Sequence, residues 1–199
     1  MTAQQTPPEL AGLILAGGHG KRLGGCDKGL LAVAGEPFVA PLSRMLRPVV
    51  GPLAISANRR ESQYRPWCDE VLADRRFSDC GPLAGLYEGL LWARERGCQG
   101  VLVAPCDAPL VSAAWARRMA GAAATAPDVA HLSQLATGYQ PLHGYFPLTC
   151  LDAIDQALSR GEFQVRALVA QLPVQWWDCD EFADEFLNIN RPEDLERLG

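Results

Sequence analysis

Residues 15–28 read Leu-Ala-Gly-Gly-His-Gly-Lys-Arg-Leu-Gly-Gly-Cys-Asp-Lys, directly after the apolar run Gly12-Leu13-Ile14. Five glycines and three permanent cations lie within this stretch. Glycine tolerates positive φ and lets backbone N–H groups come close to a ligand. Successive N–H groups in such a turn form a concave cradle for anions. Lys21, Arg22 and Lys28 add local positive charge to a chain whose net charge is −5. This is the composition of a polyphosphate site; the competing reading is a glycine-rich turn with solvated cations. Two familiar phosphate motifs do not fit. A P-loop needs Ser or Thr after Gly-Lys, and here Arg22 follows Gly20-Lys21. The dinucleotide fingerprint needs a glycine at 23, where Leu23 stands, with Gly24 one place late. The second apolar run ends in Ser56-Ala57-Asn58, with no carboxylate to hold a ribose.

Carboxylates follow two other apolar runs. Asp107 comes after Val101–Ala104, at the edge where α/β sheets bind ligands. One such carboxylate, with phosphate oxygens and water, suffices for Mg²⁺; its plainer reading is a turn residue before Pro109. Asp74 comes after Val71-Leu72-Ala73, and a carboxylate there can accept hydrogen bonds from a base edge or ribose hydroxyls. It can equally be a loop residue beside Arg75 and Arg76. Cys106 has no evident histidine partner and reads as a packed thiol rather than a nucleophile. His19 reads as an exposed loop residue, and Trp176-Trp177 as core or a subunit contact.

Four blocks occur in a familiar order. They are residues 15–28 against LAGGxxxRMGxxK, with Leu23 for Met; Gly81-Pro82-Leu83-Ala84-Gly85 against GPLAG; Pro105-Cys106-Asp107-Ala108-Pro109 against PCDxP; and residues 186–195 against FxNxNTPEDL. Together they span nearly the whole chain, which resembles the nucleotidyltransferases and most closely the MobA family of molybdenum cofactor guanylyltransferases. The resemblance implies transfer of GMP from GTP to molybdenum-bound molybdopterin, with release of pyrophosphate and Mg²⁺ as the metal. It assigns Arg22, Lys28 and Asp107 to catalysis, Asp107 also to the metal. It assigns Leu15, Ala16, Gly17, Gly18, Lys28, Ser56, Asn58, Asp74, Gly85 and Asp107 to GTP, and Gln140, Asn188 and Asn190 to the pterin side. Gly18 replaces the alanine of related cytidylyltransferases and leaves room for a purine. Two departures stand out. Ser56 replaces an asparagine of the family, and residues 161–165 read Gly-Glu-Phe-Gln-Val, with Gln164 where a basic residue is usual. Rival readings are transfer from CTP to molybdopterin, transfer to a sugar or alcohol phosphate, or a nucleotide-binding accessory protein without turnover. Retention of Arg22, Lys28 and Asp107 speaks against the last.

The elements that must position these residues are visible in outline. Short apolar runs at 12–16, 53–57, 71–73 and 101–104 read as strands covered on both faces. Pro82–Arg96 reads as a helix with Pro82 in its first turn and Gly97 beyond its end. Ser112 reads as the N-cap of a further helix. Beyond it, 143–146 and 186–189 read as strands, and 148–158, 165–172 and a segment from Pro192 to Leu198, capped by Asn190, as helices. The fold class is α/β: three Rossmann-like layers around a mostly parallel mixed sheet. The expected organisation is one domain over residues 1–199, the first ten a loose leader without signal-peptide character. A hydrophobic fraction of 48% at this modest charge argues against disorder, and no apolar run is long enough to span a bilayer. Seven cysteines without CxxC spacing read as reduced thiols of a cytoplasmic protein. The acidic balance argues against nucleic acid as a partner. GTP and molybdenum-molybdopterin are the expected partners, with cofactor-insertion chaperones as possible recipients of the product.

Overall fold

The computed structural model describes residues 10–17, 27–33, 35–189 and 194. The apolar runs fold as β1 (Ala11–Leu15), β4 (Leu53–Ser56), β5 (Glu70–Leu72) and β6 (Gly100–Pro105). Between β1 and β4 lie a two-residue ribbon, β2 (Ala32–Val33) and β3 (Glu36–Pro37), and helix α1 (Val39–Leu46). Then come α2 (Glu61–Tyr64), α3 (Pro82–Glu95), α4 (Ala113–Thr125), β7 (Ala130–Leu135), β8 (Gly138–Pro147), α5 (Leu151–Ser159), α6 (Val165–Val169) and β9 (Val174–Asp178). One sheet has the order β5-β4-β1-β6-β8-β7-β9. Its strands all run the same way except β8, which is antiparallel to both neighbours.

Alternate side chains divide between the two faces, as strand geometry requires. Leu13, Leu15, Val101 and Val103 pack with Leu83, Leu86 and Leu90 of α3 and Ile154 of α5. Ile14, Ile55, Leu102 and Ala104 pack with Leu42 of α1 and Trp115 and Met119 of α4. Helices thus cover both faces, the three-layer arrangement expected of this sequence. The register brings four chain exits to one edge: Leu15 is level with Ser56 and with Pro105, and Ser56 with Leu72. The residues after each strand end therefore emerge together.

Several sequence expectations are corrected. Residues 186–189 do not form a strand: a 3₁₀ segment runs Asp180–Phe186, and Ile189 N–H donates to the Asp107 carbonyl at 2.8 Å. The helix expected over 165–172 stops at Val169 and gives way to tighter turns before Pro173, which disfavours helical backbone at Leu172. In those turns Gln171 N–H donates to the Leu168 carbonyl at 2.9 Å and Leu172 N–H to the Val169 carbonyl at 3.2 Å. Ser112 occupies the N-cap position without a side-chain capping bond; its backbone N–H instead donates to Glu185 at 2.9 Å. The expected helix from Pro192, with its cap at Asn190, lies outside the described residues. Besides the short β2–β3 ribbon, two strands of the main sheet were not foreseen. β7 carries His131 and Ser133, which look polar in sequence yet are wholly buried. Each is satisfied there: His131 Nε2 pairs with the Ala126 carbonyl at 2.9 Å, and Trp115 Nε1–H donates to Ser133 Oγ at 2.9 Å. Trp176 and Trp177 lie on β9 at the sheet edge, turned to opposite faces, and Trp177 Nε1–H donates to His131 Nδ1 at 3.0 Å.

Candidate active site

The carboxyl ends of β1, β4, β5 and β6, with the start of α3, enclose two joined depressions. The first is bounded by Leu15, Gly17, Ser56, Asn58, Asp74 and Gly85. All six were expected on the nucleotide from the sequence. Asp79, Gly81 and Pro82 complete it; Gly81 and Pro82 belong to the block read against GPLAG but are not among the residues assigned to the nucleotide, and Asp79 is not singled out by the sequence. The Gly-Pro pair is the signal for two of them: Gly81 takes φ +73, a conformation glycine adopts freely, and Pro82 then opens α3. The second depression shares Leu15, Gly17 and Pro82 and adds Ala16, Lys28, Cys106, Asp107 and Leu142.

Close approach of α3 to the sheet builds the first depression. A methyl group at Gly85 would sit 2.4 Å from Ser56 Oγ and 3.1 Å from Leu15 Cδ2. One turn on, a methyl at Gly89 would sit 2.4 Å from Leu13. The two glycines let the helix drop onto β1 and β4, and Ser56, 4% exposed, fills the space beneath. The serine that replaces the family's asparagine is therefore packed against the helix as well as lining the depression.

Asp74 is held rigidly. Asn58 Nδ2–H donates to Asp74 Oδ2 at 2.7 Å, and Asp74 N–H donates to Asn58 Oδ1 at 2.7 Å. The other carboxylate oxygen, Oδ1, is buried without a hydrogen-bond partner among the described residues. Burial raises the Asp74 pKa; Asn58 opposes the shift, while Glu88 and Asp79 add to it. A buried acceptor without a donor is costly, and a ligand that brought donors here would remove that cost.

In the second depression Lys28 Nζ lies 3.8 Å from Asp107 Oδ2, with the Asp107 side chain 34% exposed. Lys28 opens a short 3₁₀ turn, Lys28–Leu30, and Asp107 follows β6. Opposite charges thus meet where sequence reasoning placed both. Among the described residues no group of three or more His, Cys, Asp or Glu forms a ready-made metal cage. A lone accessible carboxylate suits a divalent ion whose other ligands are phosphate oxygens and water. Cys106 is buried, and burial with the neighbouring Asp107 charge pushes its thiol up to about 12. It remains protonated at neutral pH and is no nucleophile.

The residues expected on the acceptor side are placed less directly. Gln140 pairs with Ser133 in the β7–β8 ladder, and Asn188 is exposed beside Ile189. Neither borders the two depressions. The chain element that does is Leu142, at an irregularity of β8: Gln140 and Gly144 face consecutive residues of β7, so 141–143 bulge out. Bulges of this kind commonly re-aim side chains beside binding sites. Gly18, Arg22 and Asn190 lie outside the described residues.

Comparison with known proteins gives the geometry a context. Residues 12–176 match the family described as "MobA-like NTP transferase domain". A molybdenum cofactor guanylyltransferase of Pseudomonas putida is 36% identical over 189 residues, covering 95% of this chain and 97% of its own. Molybdopterin-guanine dinucleotide biosynthesis protein A from Archaeoglobus fulgidus superimposes with a TM-score of 0.77 at 19% identity, covering 94% of this chain and 96% of its own. The 4-diphosphocytidyl-2C-methyl-D-erythritol synthase of Anaerococcus prevotii shares the fold at a TM-score of 0.68 and 12% identity, covering 96% and 94%.

Proposed function

The chain belongs to the MobA-like NTP transferase family, and from that premise we propose that it transfers GMP from GTP to molybdenum-molybdopterin, releasing pyrophosphate. The observation that carries this reading is the convergence of Asp74, Asn58, Ser56 and Gly85 on a depression joined to the Lys28–Asp107 pair.

In this reading the base occupies the first depression. Asp74 Oδ1, buried and unpartnered, accepts from the ring N–H and exocyclic amine of guanine. Asn58 holds the carboxylate in place and takes up its second oxygen. Backbone groups of Leu15, Ala16 and Gly17, continued by Gly18, face the sugar and phosphates. The attacking group is a phosphate already anionic at neutral pH, so no general base is required. The demands on the protein are alignment and neutralisation of charge. Lys28 contacts the triphosphate and stabilises charge as the bond to pyrophosphate breaks. Arg22 acts on the leaving pyrophosphate. Asp107 is the carboxylate that would hold Mg²⁺ together with the phosphates, an ion that supplies alignment and charge neutralisation when bound. Asp107 and Lys28 line the same depression, 3.8 Å apart.

Gln140, Asn188 and Asn190 orient the pterin substrate. The hydrogen bond from Ile189 to the Asp107 carbonyl brings Asn188 to the end of β6, which supports that role. The 199 residues act as one domain, in the cytoplasm, where the product passes to molybdoenzymes or their insertion chaperones. Among the described residues no helix is long and apolar enough to cross a membrane.

Incubation of the purified chain with molybdenum-molybdopterin and GTP labelled in the α-phosphate tests the reading. Label should pass to the pterin with equimolar pyrophosphate. Transfer from CTP in preference to GTP would move the chain to a cytidylyl activity, and transfer from neither would overturn the reading.

A further inference from the structure

Tyr64, the last residue of α2, is completely buried, yet it carries a hydroxyl. A buried hydroxyl is unfavourable unless it is paired. Its partner is Asp27: the phenol donates to Asp27 Oδ1. Asp27 is the residue immediately before Lys28 and occupies the N-terminal position of the short turn that carries the lysine. Within that turn Leu30 N–H donates to the Asp27 carbonyl and Leu31 N–H to the Lys28 carbonyl.

A second contact points to the same function. A methyl group at Gly29 would lie 2.8 Å from the Tyr64 hydroxyl and 2.9 Å from Ala16 Cβ. The turn therefore rests directly on the phenol and on the residue that follows β1. Burial raises the phenol pKa and the Asp27 charge raises it further, so the group is a donor throughout the physiological range. The segment that ends in Tyr64 begins at Asn58, the partner of Asp74, and turns into α2 at Arg60, which has φ +51. One short piece of chain thus touches both depressions.

We propose that Tyr64 is a positioning residue for Lys28: its hydroxyl, donated to Asp27, clamps the lysine-bearing turn onto the end of β1 and opposite Asp107. The proposal rests on the reading of Lys28 as a phosphate contact. Phenylalanine would fill the same volume and leave the turn without its anchor.

Tyr64→Phe, Lys28→Ala and the double variant test it, with GTP binding in the presence of Mg²⁺ read by calorimetry. Tyr64→Phe should weaken binding about tenfold, the scale of one hydrogen bond to a charged group. In the Lys28→Ala background the same change should cost little, because the two act as a unit. Asp27→Asn, which keeps an acceptor oxygen but loses the charge, should weaken GTP binding less than Tyr64→Phe does. Amide exchange of the ligand-free protein supplies an independent reading: Tyr64→Phe should speed exchange at Leu30 and Leu31 and leave β1 and β6 unchanged. An equal loss of affinity with and without Lys28, or unchanged exchange at Leu30 and Leu31, overturns the proposal. Absence of GTP binding by the wild type would instead remove the proposed function, and the exchange measurement would still decide the clamp.

Discussion

The two halves of the sheet solve different problems. On one side β5, β4, β1 and β6 run parallel, and their ends deliver Asp74, Asn58, Ala16, Gly17 and Asp107 to one edge. On the other side β8 reverses, β7 and β9 extend the sheet, and only Leu142 reaches the cleft among the described residues. Parallel strands in register place successive loops side by side, so a site follows from topology. The reversed strand places its residues through a bulge, and this half buries His131, Ser133 and His143 in the interior. The parallel half thus lines the cleft with its strand ends, while the β8–β9 half mainly packs and, in the proposed function, would present the acceptor.

The largest effect that tests this contrast is Lys28→Ala, which should lower kcat for guanylyl transfer by about 10²–10³, the cost of removing a preorganised charge contact. The fold should be retained, because the lysine side chain lines the cleft and belongs to neither hydrophobic core. In the other half, His143 gives the matching structural prediction. It is buried between Trp115 and Phe186, with ring centroids at 6.2 and 4.8 Å, and its Nε2 has no partner among the described residues. Burial lowers its pKa to about 4, against a smaller opposing pull from Asp107. The unfolded chain binds the proton near 6.5 and the folded one only near 4. The histidine's contribution is therefore fully present above about pH 6.5 and is lost as pH falls towards 4, by up to about 3 kcal/mol. Denaturant titrations at several pH values should show this slope in wild type and a flatter one in His143→Leu.

Asp74→Asn sharpens the nucleotide side. The folded pKa of Asp74 is raised, so its ionised form costs stability at neutral pH, a cost that fades as pH falls through the folded pKa. The asparagine variant should be at least as stable as wild type at pH 7, yet lose its preference for GTP by about tenfold or more. A thermal melt paired with competition binding reads both. The smallest effect should come from Gln140→Ala and Asn188→Ala: a raised KM for the pterin, by about threefold to tenfold, with GTP affinity unchanged. A matching loss of GTP affinity would break the division between the two halves.

The division is clearest in sequence on the nucleotide side, although the strand read at 143–146 and the helix read at 148–158 on the other side are present as β8 and the segment through α5. Glycine, proline and acidic residues at strand ends identify the nucleotide half because backbone turns and charge leave strong local signals. Gly81, Pro82 and Gly85 marked the start of α3 in the same way. β7 stayed hidden because its buried His131 and Ser133 are satisfied by Trp177 and Trp115, partners 46 and 18 residues away. The segment 186–189 reads as a strand from its apolar residues, but Phe186 ends the 3₁₀ segment Asp180–Phe186 and Ile189 is tied to the Asp107 carbonyl, contacts no local pattern encodes. Tyr64 resembled any core tyrosine, since its meaning lies in Asp27, 37 residues earlier.

The central claim is that the joined depressions of the parallel half form a guanine nucleotide site closed by Lys28 and Asp107. Calorimetric titration of GTP, CTP and ATP with Mg²⁺, on wild type and Asp107→Ala, tests it most directly. Selective GTP binding that weakens sharply in the variant is the expected result. Equal affinity for all three nucleotides, or binding unaffected by loss of Asp107, would contradict it.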